Sequence, residues 1–367
     1  ILHAAGPVIV DDPGLANQWA PQMIDAPIAW ETTEAGDPAV IIAVVDSGVD
    51  YTHSELAPNM WTDPSTGKYG WDFINYDNDP MDDYLHGTHV AGIVAAVDND
   101  NPDGLVGICP YCQIMAVKVL NATGAGPLDT VANGIDYAVA NGADVINLSL
   151  GSIAESSFLA DSVSDAWAAG VVVVAAAGND GTDEPFYPAA YPNAIAVAST
   201  DEDDRRSCYS NYGDGFIDVA APGERIFSTF PRQAGDDKYA EGSGTSMAAP
   251  HVAGLAGLLI SMDPGLSNTD VRNRIEDTTD DLGPLGTDPY FGTGRINAIR
   301  ALTDDQSSPA PPVDNLAATN QTASGYAHAR KLARDASGTL HLAWHAQIEG
   351  EYRVLYATSP DDGVTWS

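Results

Sequence analysis

The sequence predicts an α/β fold of three layers, α/β/α, with one mostly parallel sheet between two layers of helix and a short C-terminal all-β segment. Three observations predict it. Five runs rich in Val, Ile and Ala, at 40–45, 114–119, 145–150, 171–176 and 194–198, lack polar alternation, the pattern of strands buried on both faces. Helical patterns at 87–97, 128–140, 155–169 and 246–261 alternate with them, as βαβ units require. A chain of 367 residues, 44% hydrophobic, can bury a large core, while 35 Gly and 24 Pro imply long loops.

Run 40–45 leads into Asp46, leaving a carboxylate at a strand end; the next helical pattern opens at His86 and is rich in small residues. The most apolar run, 171–176, leads through Ala177 and Gly178 to Asn179. Pro250 is tolerated in a first turn but breaks a helix interior, so that helix is expected to begin close to Ser246. A last helix at 269–278, a Gly-rich stretch and a short helix ending near Leu302 close a domain expected over 11–302, with residues 1–10 an extension or propeptide remnant.

Residues 303–315 are Ser-, Asp- and Pro-rich without an apolar period and read as a semi-stiff linker. Beyond it, 341–345 and 352–358 alternate as paired strands do, and a turn word follows at 359–366. That word resembles the Asp-box of sialidase-like β-propellers. One blade cannot close a propeller, so 316–367 is expected to be part of a truncated one.

Fifteen Lys and Arg stand against 52 Asp and Glu, a net charge of −37, which repels phosphate backbones and anionic lipid and argues against nucleic acid as a partner. Such acidity suits cation binding, solubility outside the cell or a salty habitat. No apolar run is expected to reach the roughly 18 residues of a membrane span. Cys109 and Cys112 precede a strand rather than a helix, which favours a local disulfide outside the cell over a redox pair; zinc would need further ligands nearby. Cys208 is expected to be a small buried residue.

Three words carry chemistry: Val-Val-Asp46-Ser-Gly, His86-Gly-Thr-His89 and Gly-Thr-Ser246-Met-Ala-Ala-Pro. A hydroxyl is a weak nucleophile until an imidazole takes its proton, and the imidazole needs a carboxylate to fix its tautomer. Ser246, His86 and Asp46 supply those roles, in an order that excludes the Ser, Asp/Glu, His order of α/β-hydrolases. The Ser246 N–H at a helix start and the Asn179 amide are the expected oxyanion donors.

On these motifs the chain resembles the subtilases, the subtilisin-like serine peptidases, with thermitase-like features, from about Asp12 to Leu302. The resemblance implies a calcium-stabilised endopeptidase acting on proteins and peptides, secreted to the extracellular space and inhibited by its own propeptide until that is removed. It implies further that Ser149, Leu150 and Gly151 pair with the substrate backbone and line the P1 pocket, that Gly124, Ala125 and Gly126 form an edge strand on the other side of the peptide, and that Ala177 and Gly178 form the opposite wall. Phe186 falls near the pocket floor, where well-known members carry a small residue, which counts against large P1 groups. Tyr187-Pro188 resembles a cis-proline turn of the family.

Two acidic loops are expected to bind structural Ca²⁺. Asp72, Asn75, Asp77, Asp79 and Asp82 offer oxygens at near-alternate spacing before His86, and the loop is similar to a calcium loop of thermitase-like members, with Met81 where a side-chain oxygen can stand. The loop 98–104 matches the family's tight site, with Asp12 and Glu55 at its outer positions and Asn99, Asp100 or Asp103 within the loop. His89 and His251 read as packed histidines and Asp50 as a residue flanking the site or a turn carboxylate. Leu85 replaces the Gly that usually precedes the His motif. A second functional reading is a dormant scaffold that binds glycans or cell surfaces through its C-terminal part.

Overall fold

The computed structural model describes residues 10–32 and 35–306 and, in the C-terminal part, the backbone of 331–334, 340–348 and 351–359. The expected extension 1–10, all but its last residue, most of the linker 303–315 and nearly all of the Asp-box word lie outside the described residues.

Seven strands form the central sheet: β1 (Ile41–Asp46), β2 (Gly70–Asp72), β3 (Gln113–Lys118), β4 (Val145–Leu148), β5 (Val172–Ala176), β6 (Ile195–Thr200) and β7 (Val219–Pro222). Their order is β2-β3-β1-β4-β5-β6-β7, and every neighbouring pair is parallel. Successive strands run to one side of β1 and then, from β4, to the other. The crevice beyond the strands' carboxyl ends therefore opens beside β1 and β4, where ligands of open α/β sheets bind.

Alternate residues of one strand enter different cores, as a period of two dictates. Ile42 and Val44 pack beneath helices α2 (Ala26–Thr32), α3 (His86–Ala95), α6 (Thr245–Met262), α7 (Asn268–Asp277) and α8 (Ala298–Thr303), with the four-residue α1 (Ala20–Met23) preceding them. Ala43 and Val45 face α4 (Leu128–Ala140) and α5 (Ser157–Ala168). Burial on both faces is why these strands show no polar alternation in sequence.

The structure corrects several expectations. Strands β2 and β7 have only 3 and 4 residues, too short to announce themselves. The hairpin β8 (Ile226–Gln233) and β9 (Asp236–Gly242) is polar and is fixed largely by side chains: Ser228 Oγ and Thr229 Oγ1 donate to the carbonyls of His89 and Thr88 on α3. Helix α6 begins at Thr245, so Pro250 stands inside it, beyond the first turn. By length and hydropathy α6 does meet the test for a span, yet 83% of it is buried: it is the central core helix, apolar all round because it is covered all round. Cys208 is exposed, whereas Cys109 and Cys112 form a disulfide buried against Gly257 of α6. The C-terminal strands β10 (Lys331–Arg334), β11 (Leu340–Ile348) and β12 (Glu351–Ser359) form an antiparallel sheet.

Candidate active site

Asp46 closes β1 fully buried, and His86 opens α3. Both carboxylate oxygens lie on the imidazole Nδ1, at 2.8 and 2.9 Å. Nδ1 therefore carries the proton and Nε2 keeps its lone pair, the arrangement of a general base. Burial disfavours the charged ring, but the charge and hydrogen bond of Asp46 and the field of Asp82 outweigh it and hold the His86 pKa above the ordinary 6.5.

Asp82, expected on a calcium loop, braces the start of α3. Its Oδ1 accepts from Ser47 Oγ and the amides of Tyr84 and Leu85, and its Oδ2 from the amide and hydroxyl of Thr88. Five protein donors occupy this carboxylate, which caps α3 from outside the helix and holds Leu85 at a φ of 142°. Ser47 completes the brace, because its Oγ also accepts from Gly87 N at 2.9 Å. The buried Lys118 ammonium is satisfied by the Ser47 and Leu120 carbonyls and by Asp83.

Ser246 is the second residue of α6, with its N–H among the first-turn amides that lack a helical acceptor. Its Oγ donates to the Ser149 carbonyl at 3.1 Å and, among the described residues, makes no hydrogen bond to His86. Helices α3 and α6 pack against each other, so His86 and Ser246 stand at the first turns of neighbouring helices. Asn179 follows β5, and its Oδ1 accepts from both the amide and the hydroxyl of Thr245. That pair of donors orients the amide and leaves Nδ2 as a donor. A Cβ added at Gly244 would lie 3.5 Å from Asn179 Nδ2 and 3.6 Å from Ser246 N, ordinary contact distances that place both donors beside residue 244.

Beside them lie the carboxyl ends of β4 and β5. Ser149, Leu150 and Gly151 continue β4 and then bridge to Tyr187 through Ser152. Ala177 and Gly178 continue β5. The Phe186 ring occupies the space between: a Cβ on Gly151 would lie 2.3 Å from its Cε1, and one on Gly178 2.9 Å from its Cγ. Gly124, Ala125 and Gly126 do not form the expected strand. The Asn121 side chain accepts from the amides of Thr123 and Ala125 and from the Thr123 hydroxyl, closing a turn, and the Tyr84 ring lies over Gly124.

Sequence reasoning passed over Thr245 and Asn211. Thr245 stands within the Ser246 word and was there to be found. Asn211, buried, donates its N–H to the Gly178 carbonyl and accepts at Oδ1 from Asp180 and Thr182, clamping the turn that carries Asn179; nothing local in the sequence marks it. His89 and His251 are buried and bonded to the Ala240 and Met247 carbonyls, and Asp50 ties its own turn to Arg232 of β8.

Of the expected metal residues, Asp12 and Glu55 are buried, 2% and 0% exposed, and neither pairs with Lys or Arg among the described residues. Burial pushes the Glu55 carboxyl above its ordinary range; bonds from Asn101, Tyr239 and Asn99 oppose this, and Asp12 adds to it. The Glu55 oxygens accept from the Asn99 and Asn101 side-chain amides and the Tyr239 hydroxyl, and those of Asp12 from the backbone amides of Gly14, Asn99 and Asn101, so both carboxyls are met by protein donors. Asp100 is exposed, with a φ of 61°. In the other loop, Asp72 accepts from Ile74 and Asn75, Asp77 from the Asp79 amide, and Asp79 from Tyr51. No group of three or more His, Cys, Asp or Glu able to hold a metal is formed among the described residues, either in this loop or around Asp12 and Glu55.

Comparison with known proteins agrees with this geometry. Residues 37–294 match the model of the subtilase family. Thermitase of Thermoactinomyces vulgaris is 48% identical over 287 residues, 78% of this chain and 96% of its own length. A thermophilic serine proteinase of Bacillus sp. strain AK1 is 47% identical over 78% of this chain and 67% of its own length, and halolysin of Haloferax mediterranei 42% over 80% and 55%. With the Asp46–His86 couple at the carboxyl edge of the sheet and Ser246 at the head of the buried helix, this chain belongs to the subtilase family and is a subtilisin-like serine endopeptidase.

Proposed function

We propose that the chain is a secreted endopeptidase that cleaves proteins after small residues through an acyl-enzyme on Ser246. The observation that carries this reading is the pair of Asp46 oxygens on His86 Nδ1. Rotation of the Ser246 side chain away from the Ser149 carbonyl brings Oγ to His86 Nε2, the move that readies attack on a peptide carbonyl. Nε2 takes the hydroxyl proton as Oγ bonds to carbon, and Asp46 stabilises the imidazolium. Asn179 Nδ2 and Ser246 N donate to the oxygen on which charge develops. His86 then returns the proton to the leaving amine, and water releases the acyl group by the same route.

The P1 side chain enters between 149–151 and 177–178, where the Phe186 ring leaves space only for small groups. Gly124, Ala125 and Gly126 flank the peptide opposite. Asp12 and Glu55, with the loop 98–104, hold a structural Ca²⁺ whose charge offsets their repulsion. An inhibitory propeptide precedes the domain 11–302 during synthesis, and 303–315 links it to the β segment 316–367. Ser246→Ala lowers turnover of casein roughly 10⁶-fold, the scale known for this loss in subtilisin itself; cleavage near the wild-type rate by that variant would exclude Ser246 as nucleophile.

A further inference from the structure

Position 250 is proline inside α6. A helical residue there would donate its N–H to the carbonyl four residues back, that of Ser246. Proline has no N–H, so the nucleophile's own carbonyl loses its helical partner. The structure supplies another donor: Ser149 Oγ donates to Ser246 O at 2.8 Å. That hydroxyl is itself directed by Asn147 Nδ2, at 2.9 Å. Both residues are buried, and Asn147 is a polar side chain within the otherwise apolar β4. Ser246 Oγ in turn donates to the Ser149 carbonyl, so residue 246 is tied to residue 149 through its backbone and its side chain.

We propose that Ser149 is a positioning residue for the nucleophile, its hydroxyl gripping the carbonyl that Pro250 leaves free and its direction set by Asn147. The inference rests on Ser246 being the nucleophile. The first turn of α6 is thereby docked to the end of β4 rather than to the next helical turn, which fixes where Oγ stands relative to the crevice. The Ser149 main chain, which lines that crevice, is untouched by removal of the hydroxyl, so the role belongs to the side chain alone.

The test is a double-variant cycle on kcat and KM with one peptide substrate, using Ser149→Ala, Pro250→Ala and both together. Ser149→Ala is expected to lower kcat about 10- to 100-fold, the scale of a small misplacement, and to leave KM within about twofold. In the Pro250→Ala background the restored amide supplies the carbonyl's partner, and the same substitution should cost less than about threefold. Equal losses in the two backgrounds, or a loss confined to KM, overturn the proposal. Should Ser149→Ala fail to fold, folding of the double variant supports it and failure there overturns it. Fluorophosphonate labelling of the unaltered enzyme keeps the two readings apart: no label at Ser246 removes the nucleophile assignment, whereas label with equal losses removes only the role of Ser149.

Discussion

On the proposed assignment of the Phe186 ring to the P1 pocket, Phe186→Ala should let the enzyme accept aromatic P1 groups. The ring lies against the α-carbons of Gly151 and Gly178 on its two sides, so its removal opens a slot of about its own size. An aromatic side chain buries about 150–250 Å², worth at most about 4–6 kcal/mol at ~25 cal/mol per Å². A substrate ring covered on two faces but open at its entry recovers about half of that. The expected gain is then about 2–3 kcal/mol, roughly 30- to 150-fold in kcat/KM for a P1-Phe peptide relative to its P1-Ala counterpart. Two matched fluorogenic peptides, assayed with both proteins, read the ratio directly. Because Phe186 is only half-buried, the cost in stability stays below the ~3–5 kcal/mol of a fully buried Phe→Ala change, and a melting curve checks that the variant is folded. An unaltered enzyme that already cleaves after Phe as fast as after Ala, or an unchanged ratio in the variant, refutes the assignment of the ring to the pocket.

Three other outcomes follow from the site and its surroundings. Asp82→Asn removes a charge that raises the His86 pKa; since the neutral ring is the base, the acidic limb of kcat/KM against pH should move to lower pH, and an unmoved or alkaline-shifted limb contradicts the electrostatic link. His89 and His251 are held by burial at pKa values of about 4, against 6.5 when unfolded, so the unfolded chain binds more protons between those values and stability falls as pH drops through that window, by about 3 kcal/mol for each. Urea midpoints at pH 7 and pH 4.5 measure the fall, and His251→Gln should remove about 3 kcal/mol of it. Chelation of Ca²⁺ should lower stability by about 2.7 kcal/mol relative to free ion at about 100 times its Kd, and Glu55→Gln should abolish that response; superimposable melting curves with and without chelator remove the ion from this site.

The chain by itself determined the elements that depend on near neighbours. Unbroken apolar runs can be buried only inside a covered sheet, so the α/β/α class and five of the strands were legible, and so was the placement of Asp46, His86, Asn179 and Ser246 at or beside the ends of elements. What it could not carry is convergence. Asp82 stands in an acidic loop, and only when β1 and the start of α3 are brought together do Ser47 and Thr88 reach its oxygens. The polar hairpin 226–242 holds its place through bonds to α3 that no period reveals. Pro250 reads as a boundary mark, yet only the approach of β4 to α6 shows that a missing amide is answered by Ser149. Local patterns set which segments form; which of them meet is decided by the strand order around β1, a property of the packed sheet rather than of any stretch of residues.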